Sequence, residues 1–423
     1  MSMDRVNKII HFLETGQHKE ALNEYNVVLN NGSHEERFIL SEELFQLGFL
    51  DEAKGLIEKL LTAYPEEGEL LILLAEILVE SGAEEEAILI LEKISRDDAH
   101  FGQSLLLIAD LYQMQGLYEV AEQKLLQAKR MIPEEAIIDF ALGELYSEQG
   151  EIVKAMKAYE TVLKETNEIA GILIHSRIAD LLSGSGAFEE ALKYYEKALN
   201  EKLEINTLFG YGLTALQAGY HRTAIEKFTE LKELDPEYHS LYLHLADAYE
   251  REGELENSLQ IVEEGIRQDE FNKELFFKGG KIALQLGLEE AAEEYLREAL
   301  LLDPGYLEAV LTLNKLLLQQ ERFTDLIALL SELDLLEEEE PYLLWDAAVA
   351  YAGMEKFSDA LNKYESAYTY FNNNQTFLLD YGYFLIEEGK SNQAAEVFKQ
   401  IVEKDPTNTE ILDLVERLTD SGE

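Results

Sequence analysis

ADLYQMQGLYEVAEQKLLQAKRMIP, residues 109–133, decides the fold. Ala121 and Leu125 stand four apart, which puts them on one face of a helix. Gly116, five residues before Ala121, tolerates the positive φ that closes a helix C-terminus, so it marks a turn between two helices. Ala109, twelve before Ala121, is a second small residue that lets the first helix approach its partner closely. Pro133, twelve after Ala121, cannot continue a helix interior but suits the entry to the next one. The stretch reads as helix, turn, helix, stop.

The same five places recur outward in both directions. The small place falls at Ala21, Ala53, Ala87, Ala121, Ala155, Ala191, Ala224, Ser258, Ala292, Ala360 and Ala394, with Leu326 in the one gap. The steps are 32, 34, 34, 34, 36 and 33, then 34 five times. Four residues on is a large apolar side chain, from Tyr25 to Phe398, and the turn place is glycine in ten of twelve repeats. Five of the six prolines share the register of Pro133. The earlier small place holds Ser41, Ala75, Ala109, Gly143, Ala179, Gly212, Ala246, Gly280, Ala348 and Gly382.

This 34-residue pattern resembles the tetratricopeptide repeat, and the chain is identified as a member of that family over nearly its whole length. The resemblance implies an all-α fold, a right-handed superhelical solenoid whose first helices line a concave face. Twelve repeats span residues 1–408 as one solenoid domain. Residues 409–423 form an amphipathic capping helix, with Ile411, Leu412, Val415 and Leu418 on one face, and a short acidic tail. Repeat ten, near 307–340, is degenerate: Glu321 takes the turn glycine's place, Leu326 the small one, and an acidic connector runs from Glu337 to Glu340 before Pro341. A bulky Leu326 holds helices apart where alanine would let them touch, so curvature should change there.

In the family geometry, the residue eleven before each small place points into the groove. That column reads Glu42, Glu76, Asp110, Glu144 and Asp180 without interruption, and Asp247 resumes it. Six of its twelve residues are acidic, against about one in five for the chain. One turn earlier lie apolar residues that include Phe38 and Phe140. Lys278, Lys281 and Lys315 interrupt the column's neighbourhood, where pairing with Glu274 and Glu308 would neutralise them. Among the aromatics of the last two repeats, Tyr342, Trp345 and Tyr383 fall in groove columns. The family subgroup that grips a partner's terminal carboxylate with Lys, Asn and Arg is not matched, because those columns here hold mostly Glu, Ile, Leu and Phe.

Composition limits what such a groove could take. The chain has 35 Lys and Arg against 85 Asp and Glu, a formal net charge of -50. That field disfavours direct binding to nucleic acid or to an anionic membrane, and favours a protein partner with a basic surface or segment. Cysteine is absent, which removes thiol chemistry and fits a reducing compartment. No apolar stretch approaches the ~18 residues of a membrane helix, and Asp4, Lys8, His11 and Glu14 interrupt any secretory leader. The expected location is cytoplasmic.

The eight histidines are scattered, and His239 and His244 miss the spacing of a helical metal pair. No phosphate-binding glycine loop with lysine occurs, nor a glycine-framed serine nucleophile. The sequence therefore reads as a non-catalytic scaffold or adaptor without cofactor. It would hold a basic or amphipathic protein segment in an acidic groove, with transcription or ribosomal machinery as a natural source of such partners. The alternative reading is a peptide-sensing regulator whose superhelix changes shape on binding. Oligomeric state is not encoded in the pattern.

Overall fold

The ten turn glycines lie at φ between 70° and 82°, the left-handed conformation that ends one helix and releases the chain into the next. In the computed structural model, which describes residues 2–333, 335 and 340–420, they separate helices that pair as hairpins. The first six hairpins are α1 (Ser2–Glu14) with α2 (His18–Asn31), α3 (His34–Gln46) with α4 (Leu50–Leu61), α5 (Gly68–Glu80) with α6 (Glu84–Leu91), α7 (Phe101–Met114) with α8 (Tyr118–Met131), α9 (Ala136–Glu148) with α10 (Ile152–Val162), and α11 (Ile174–Gly184) with α12 (Phe188–Glu201). The next three are α13 (Ile205–Gln217) with α14 (His221–Leu234), α15 (Ser240–Glu252) with α16 (Leu255–Gln268), and α17 (Lys273–Gln285) with α18 (Glu289–Leu302). The last are α19 (Leu307–Gln319) with α20 (Phe323–Glu332), α21 (Pro341–Gly353) with α22 (Phe357–Phe371), and α23 (Gln375–Glu387) with α24 (Ser391–Lys404), after which comes α25 (Thr409–Asp420).

The repeat register reads as one solenoid, whereas the contacts group into two compact units, Met1–Gly210 and Tyr211–Glu423. The physical reason is that a repeat touches only its near neighbours, so a long array need not condense around one centre. Among the described residues no helix is long and apolar enough to cross a membrane.

Within the first unit, the small place of the second helix is fully buried at Ala87, Ala121 and Ala191, and the earlier small places of the same hairpins, Ala75, Ala109 and Ala179, are buried nearly as completely. Where the earlier place is glycine, the large residue of the second helix lies flush against it. A Cβ added at Gly143 would sit 2.5 Å from the Tyr159 ring. The 36-residue step between Ala155 and Ala191 also has a cause. A ribbon not anticipated from the helical period, β1 (Glu168–Ile169) paired antiparallel with β2 (Ile172–Leu173), fills that connector. Its two-residue turn places Ala170 at φ 51° and Gly171 at φ 84°, as a tight hairpin requires.

In the second unit, Gly212, Gly280 and Gly382 accommodate Phe228, Leu296 and Phe398 in the same way. Repeat ten departs at both small places: Leu326 is fully buried in one, and Asn314, equally buried, occupies the other. The helices α19 and α20 accordingly touch over less of their length than α15 with α16, α17 with α18, α21 with α22 or α23 with α24. Asn314 donates from Nδ2 to Asp346 Oδ2 at 3.1 Å, while its Oδ1 has no hydrogen-bond partner among the described residues. Of the acidic connector, Glu337, Glu338 and Glu339 lie outside the described residues. Glu340 caps α21 by accepting from the Leu343 N–H at 2.9 Å, with Pro341 in the first turn. At the end of the unit, Ile411, Val415 and Leu418 of α25 are buried, and α25 packs on α24. Leu412, expected beside them, is exposed because it stands a third of a turn away from Ile411. Residues 421–423 of the acidic tail lie outside the described residues.

Glu321 and Glu355 stand at the two turn places without glycine and adopt φ 57° and 58°. A side chain in that region costs about 1 kcal/mol or more, so Glu321→Gly should raise the thermal midpoint by a few degrees. An unchanged or lower midpoint in a calorimetric scan would show that the turn is not strained. Burial, with Glu340 adding repulsion, lifts the Asp346 carboxyl from 3.8 to about 7. The folded state therefore holds the proton more tightly than the unfolded chain, and Asp346 withdraws stability as pH rises from about 4 through 7. Asp346→Asn should raise the melting temperature more at pH 8 than at pH 5. Equal shifts at both would contradict that assignment.

Candidate partner-binding face

Pockets open between successive first helices, and three of them are built from the same register places. The one between α5 and α7 holds ≈ 270 Å³ and is lined by Glu76, Val79, Leu91, Leu107, Asp110 and Leu111, among others. Its counterpart between α9 and α11, of ≈ 300 Å³, presents Glu144, Ser147, Tyr159, Arg177, Asp180 and Leu181 in the same order. In the second unit, the ≈ 550 Å³ pocket between α17 and α19 has Lys281 and Lys315 where the others have carboxylates. The scaffold is constant; the side chains at these places set the chemistry of each pocket.

The acidic column divides accordingly. Glu144 Oε1 accepts from Arg177 Nε at 3.0 Å and from the Tyr159 hydroxyl at 2.5 Å, and a second Arg177 nitrogen reaches its other oxygen. Asp180 Oδ1 accepts from the Tyr195 hydroxyl at 2.7 Å; burial nonetheless pushes its carboxyl up, against that bond and the pull of Arg177. Asp247 and Glu250 both take bonds from the Lys278 ammonium, so Lys278 pairs with the preceding repeat and not with Glu274. Glu42, Glu76 and Asp110 make no hydrogen bond or ion pair among the described residues. Burial raises the carboxyls of Glu76 and Asp110, and burial together with repulsion from Glu69 and Glu43 raises that of Glu42. Half of the column is thus answered from within the chain and half is not.

The apolar and aromatic candidates also separate. Phe38 is half-buried. Phe140, expected beside the groove, is only 8 % exposed and packs on Tyr159 with ring centroids 6.2 Å apart, because the space above Gly143 draws that ring inward. Trp345 is part-buried between Phe371 and Phe377 and donates from Nε1 to Asp380 Oδ2 at 3.2 Å. Tyr342 and Tyr383 expose about half of their surface, with ring edges on Phe371 and Phe398. Of the other aromatics of these repeats, Tyr351, Tyr364 and Tyr381 are core, whereas Phe357 and Tyr370 are exposed. Sequence reasoning missed Arg177 and Lys278 as built-in counter-ions. Both stand three residues before a column residue, so reading that neighbouring column would have found them.

Profiles of known families match most of these repeats. Residues 113–167 match the YpiA-like tetratricopeptide repeats, and 341–408 match the C-terminal repeats of the same kind. General tetratricopeptide profiles match 44–111, 174–203, 209–273 and 274–306. The TPR repeat-containing protein YpiA of Bacillus subtilis (strain 168) is 42 % identical over 415 residues, covering 98 % of each chain. The chain belongs to the YpiA-like tetratricopeptide-repeat proteins.

Looser likenesses extend to solved structures. YrrB, described as a TPR protein with an unusual peptide-binding site, is 20 % identical over 44 % of this chain and 95 % of its own, with TM-score 0.38. The Cut9-Hcn1 hetero-tetramer of the APC/C matches 97 % of this chain and 95 % of its own at 15 % identity and TM-score 0.37. Proteins built of tetratricopeptide repeats are in general non-catalytic scaffolds that bind other proteins.

Within this YpiA-like chain the Arg177–Glu144 pair is about one-third exposed on the arginine side, so solvent screens it in part. Arg177→Met should lower stability by about 1 kcal/mol. Adding Glu144→Gln should restore most of that loss, as a double-mutant thermal-melt cycle would show. Additive losses would mean that the two side chains are not coupled.

Proposed function

We propose that this protein is a non-catalytic scaffold or adaptor that holds a basic, amphipathic segment of a partner protein, in the cytoplasm. The observation that carries this reading is the set Glu42, Glu76 and Asp110, which have no hydrogen-bond or ion-pair partner among the described residues in a chain of net charge -50. Glu76 is half-buried, Glu42 and Asp110 are exposed, and all three carboxyls are raised by partial desolvation. A carboxylate so placed without a counter-ion is disfavoured in the free protein, and a cation delivered by a partner removes that cost. The field around the chain speeds the encounter with a basic surface and repels phosphate backbones. Half-buried Phe38 and the apolar residues between the first helices supply the non-polar part of the contact. Tyr342, Trp345 and Tyr383 form a second candidate surface in the last repeats. Proteins that handle nucleic acid, including transcription and ribosomal machinery, carry segments of the required chemistry.

The test is fluorescence anisotropy with a labelled synthetic peptide whose helical pattern alternates Leu with Lys and Arg, compared with a version carrying Glu at the basic positions. The basic peptide should bind, with affinity falling about tenfold or more between low and moderate salt, while the acidic one should not bind. The triple variant Glu42→Gln, Glu76→Gln, Asp110→Asn should weaken the basic peptide. Glu144 is left unaltered because Arg177 already occupies it. Failure of the basic peptide to bind, or equal binding of both peptides, would remove this reading.

A further inference from the structure

The three equivalent pockets permit an inference about one residue of the partner, which rests on the proposed capture of a basic segment and sharpens it. Between α9 and α11 the pocket contains its own cation: Arg177 reaches across to Glu144, and the Tyr159 hydroxyl joins the same carboxylate. Between α5 and α7 the corresponding places are Leu107 for Arg177 and Leu91 for Tyr159, while Glu76 and Asp110 keep the two carboxylates. The acids are thus retained, both hydrogen-bond partners of Glu144 are replaced by hydrocarbon, and Leu125 likewise stands at the register place of Tyr195, the partner of Asp180. The second unit supplies an independent instance of the filled form, because Lys278, at the register place of Arg177, binds the column carboxylate Asp247.

We propose that the pocket between α5 and α7 receives an arginine side chain of the bound partner, its guanidinium between Glu76 and Asp110 and its aliphatic stem against Leu107 and Leu111. The pocket supplies both halves of what that side chain needs. Two carboxylates offer acceptors to a planar fork of N–H donors, and the leucines cover the methylene stem, which gains by leaving water. The cavity of ≈ 270 Å³ is close in size to the ≈ 300 Å³ pocket that Arg177 serves. Lysine would satisfy the charge but not the two-sided geometry, so arginine is the better fit. A small metal ion is disfavoured: Glu80 also lines the pocket, yet among the described residues no group of three or more Asp, Glu or His is placed to hold a metal.

The experiment uses the full chain and three labelled amphipathic peptides that differ at one central position: arginine, citrulline or norleucine. Citrulline keeps the shape of arginine without its charge, and norleucine keeps only the stem. The arginine peptide should bind about tenfold more tightly than the citrulline peptide to the wild-type protein. That preference should vanish in Glu76→Gln/Asp110→Asn. It should vanish too in Leu107→Arg, which fills the pocket from within as Arg177 does two repeats on. Both variants should melt no lower than wild type, since each relieves an unpaired carboxylate, so lost binding would not reflect unfolding. If Leu107→Arg proves unstable, the Glu76→Gln/Asp110→Asn variant decides alone. Retention of the preference in Glu76→Gln/Asp110→Asn, or equal binding of the arginine and citrulline peptides to wild type, overturns the assignment of this pocket. The acidic face then stands if Glu42→Gln still weakens binding. Absence of binding by all three peptides removes the broader reading together with the pocket.

Discussion

Everything in this protein depends on how closely the two helices of a hairpin can approach. The distance is set where a small residue on the first helix meets the large residue four places past the small one on the second, as Gly143 meets Tyr159 and Gly382 meets Phe398. A methyl group at either glycine would collide with the ring, so the packing is a fit between an absence and a bulk. Repeated within each unit, the fit holds the first helices at a spacing that leaves room for pockets between them. Repeat ten lacks the fit: Asn314 and Leu326 fill both small places, and α19 and α20 touch less.

A scaffold so regular lets charge vary without disturbing the fold. The pockets between α5 and α7, α9 and α11, and α17 and α19 share their backbone positions but hold unpaired acids, an acid answered by arginine, and two lysines. Each choice moves a few side-chain atoms at the rim and leaves the buried register alone. That separation of structure from chemistry is why one repeat can serve many partners. Asp346 is the opposite case, a carboxyl drawn into the packing at repeat ten whose proton affinity then becomes part of stability.

Much of this was legible in the residues themselves. The period, the turn glycines and the paired small places predict the helices and their hairpins, because local backbone preference and face-to-face packing act over fewer than about twenty residues. The ribbon at 168–173 was hidden, since the only signal was two extra residues in one step and a glycine in a connector. The acidic column was legible as a pattern, but its members looked alike.

What the sequence by itself determined, then, is the repeat: which residues are buried, where each helix ends, and which column faces the pockets. Only the tertiary structure decided which carboxylates are already paired. Glu144 and Arg177 are 33 residues apart, as are no two residues of one hairpin, and they meet because successive first helices pack side by side. Glu76 and Asp110 belong to the same column and look equivalent on paper, yet the place that carries Arg177 two repeats later is Leu107. A charge seeks its partner through space, and the partner's identity rests on a neighbour that only folding brings near.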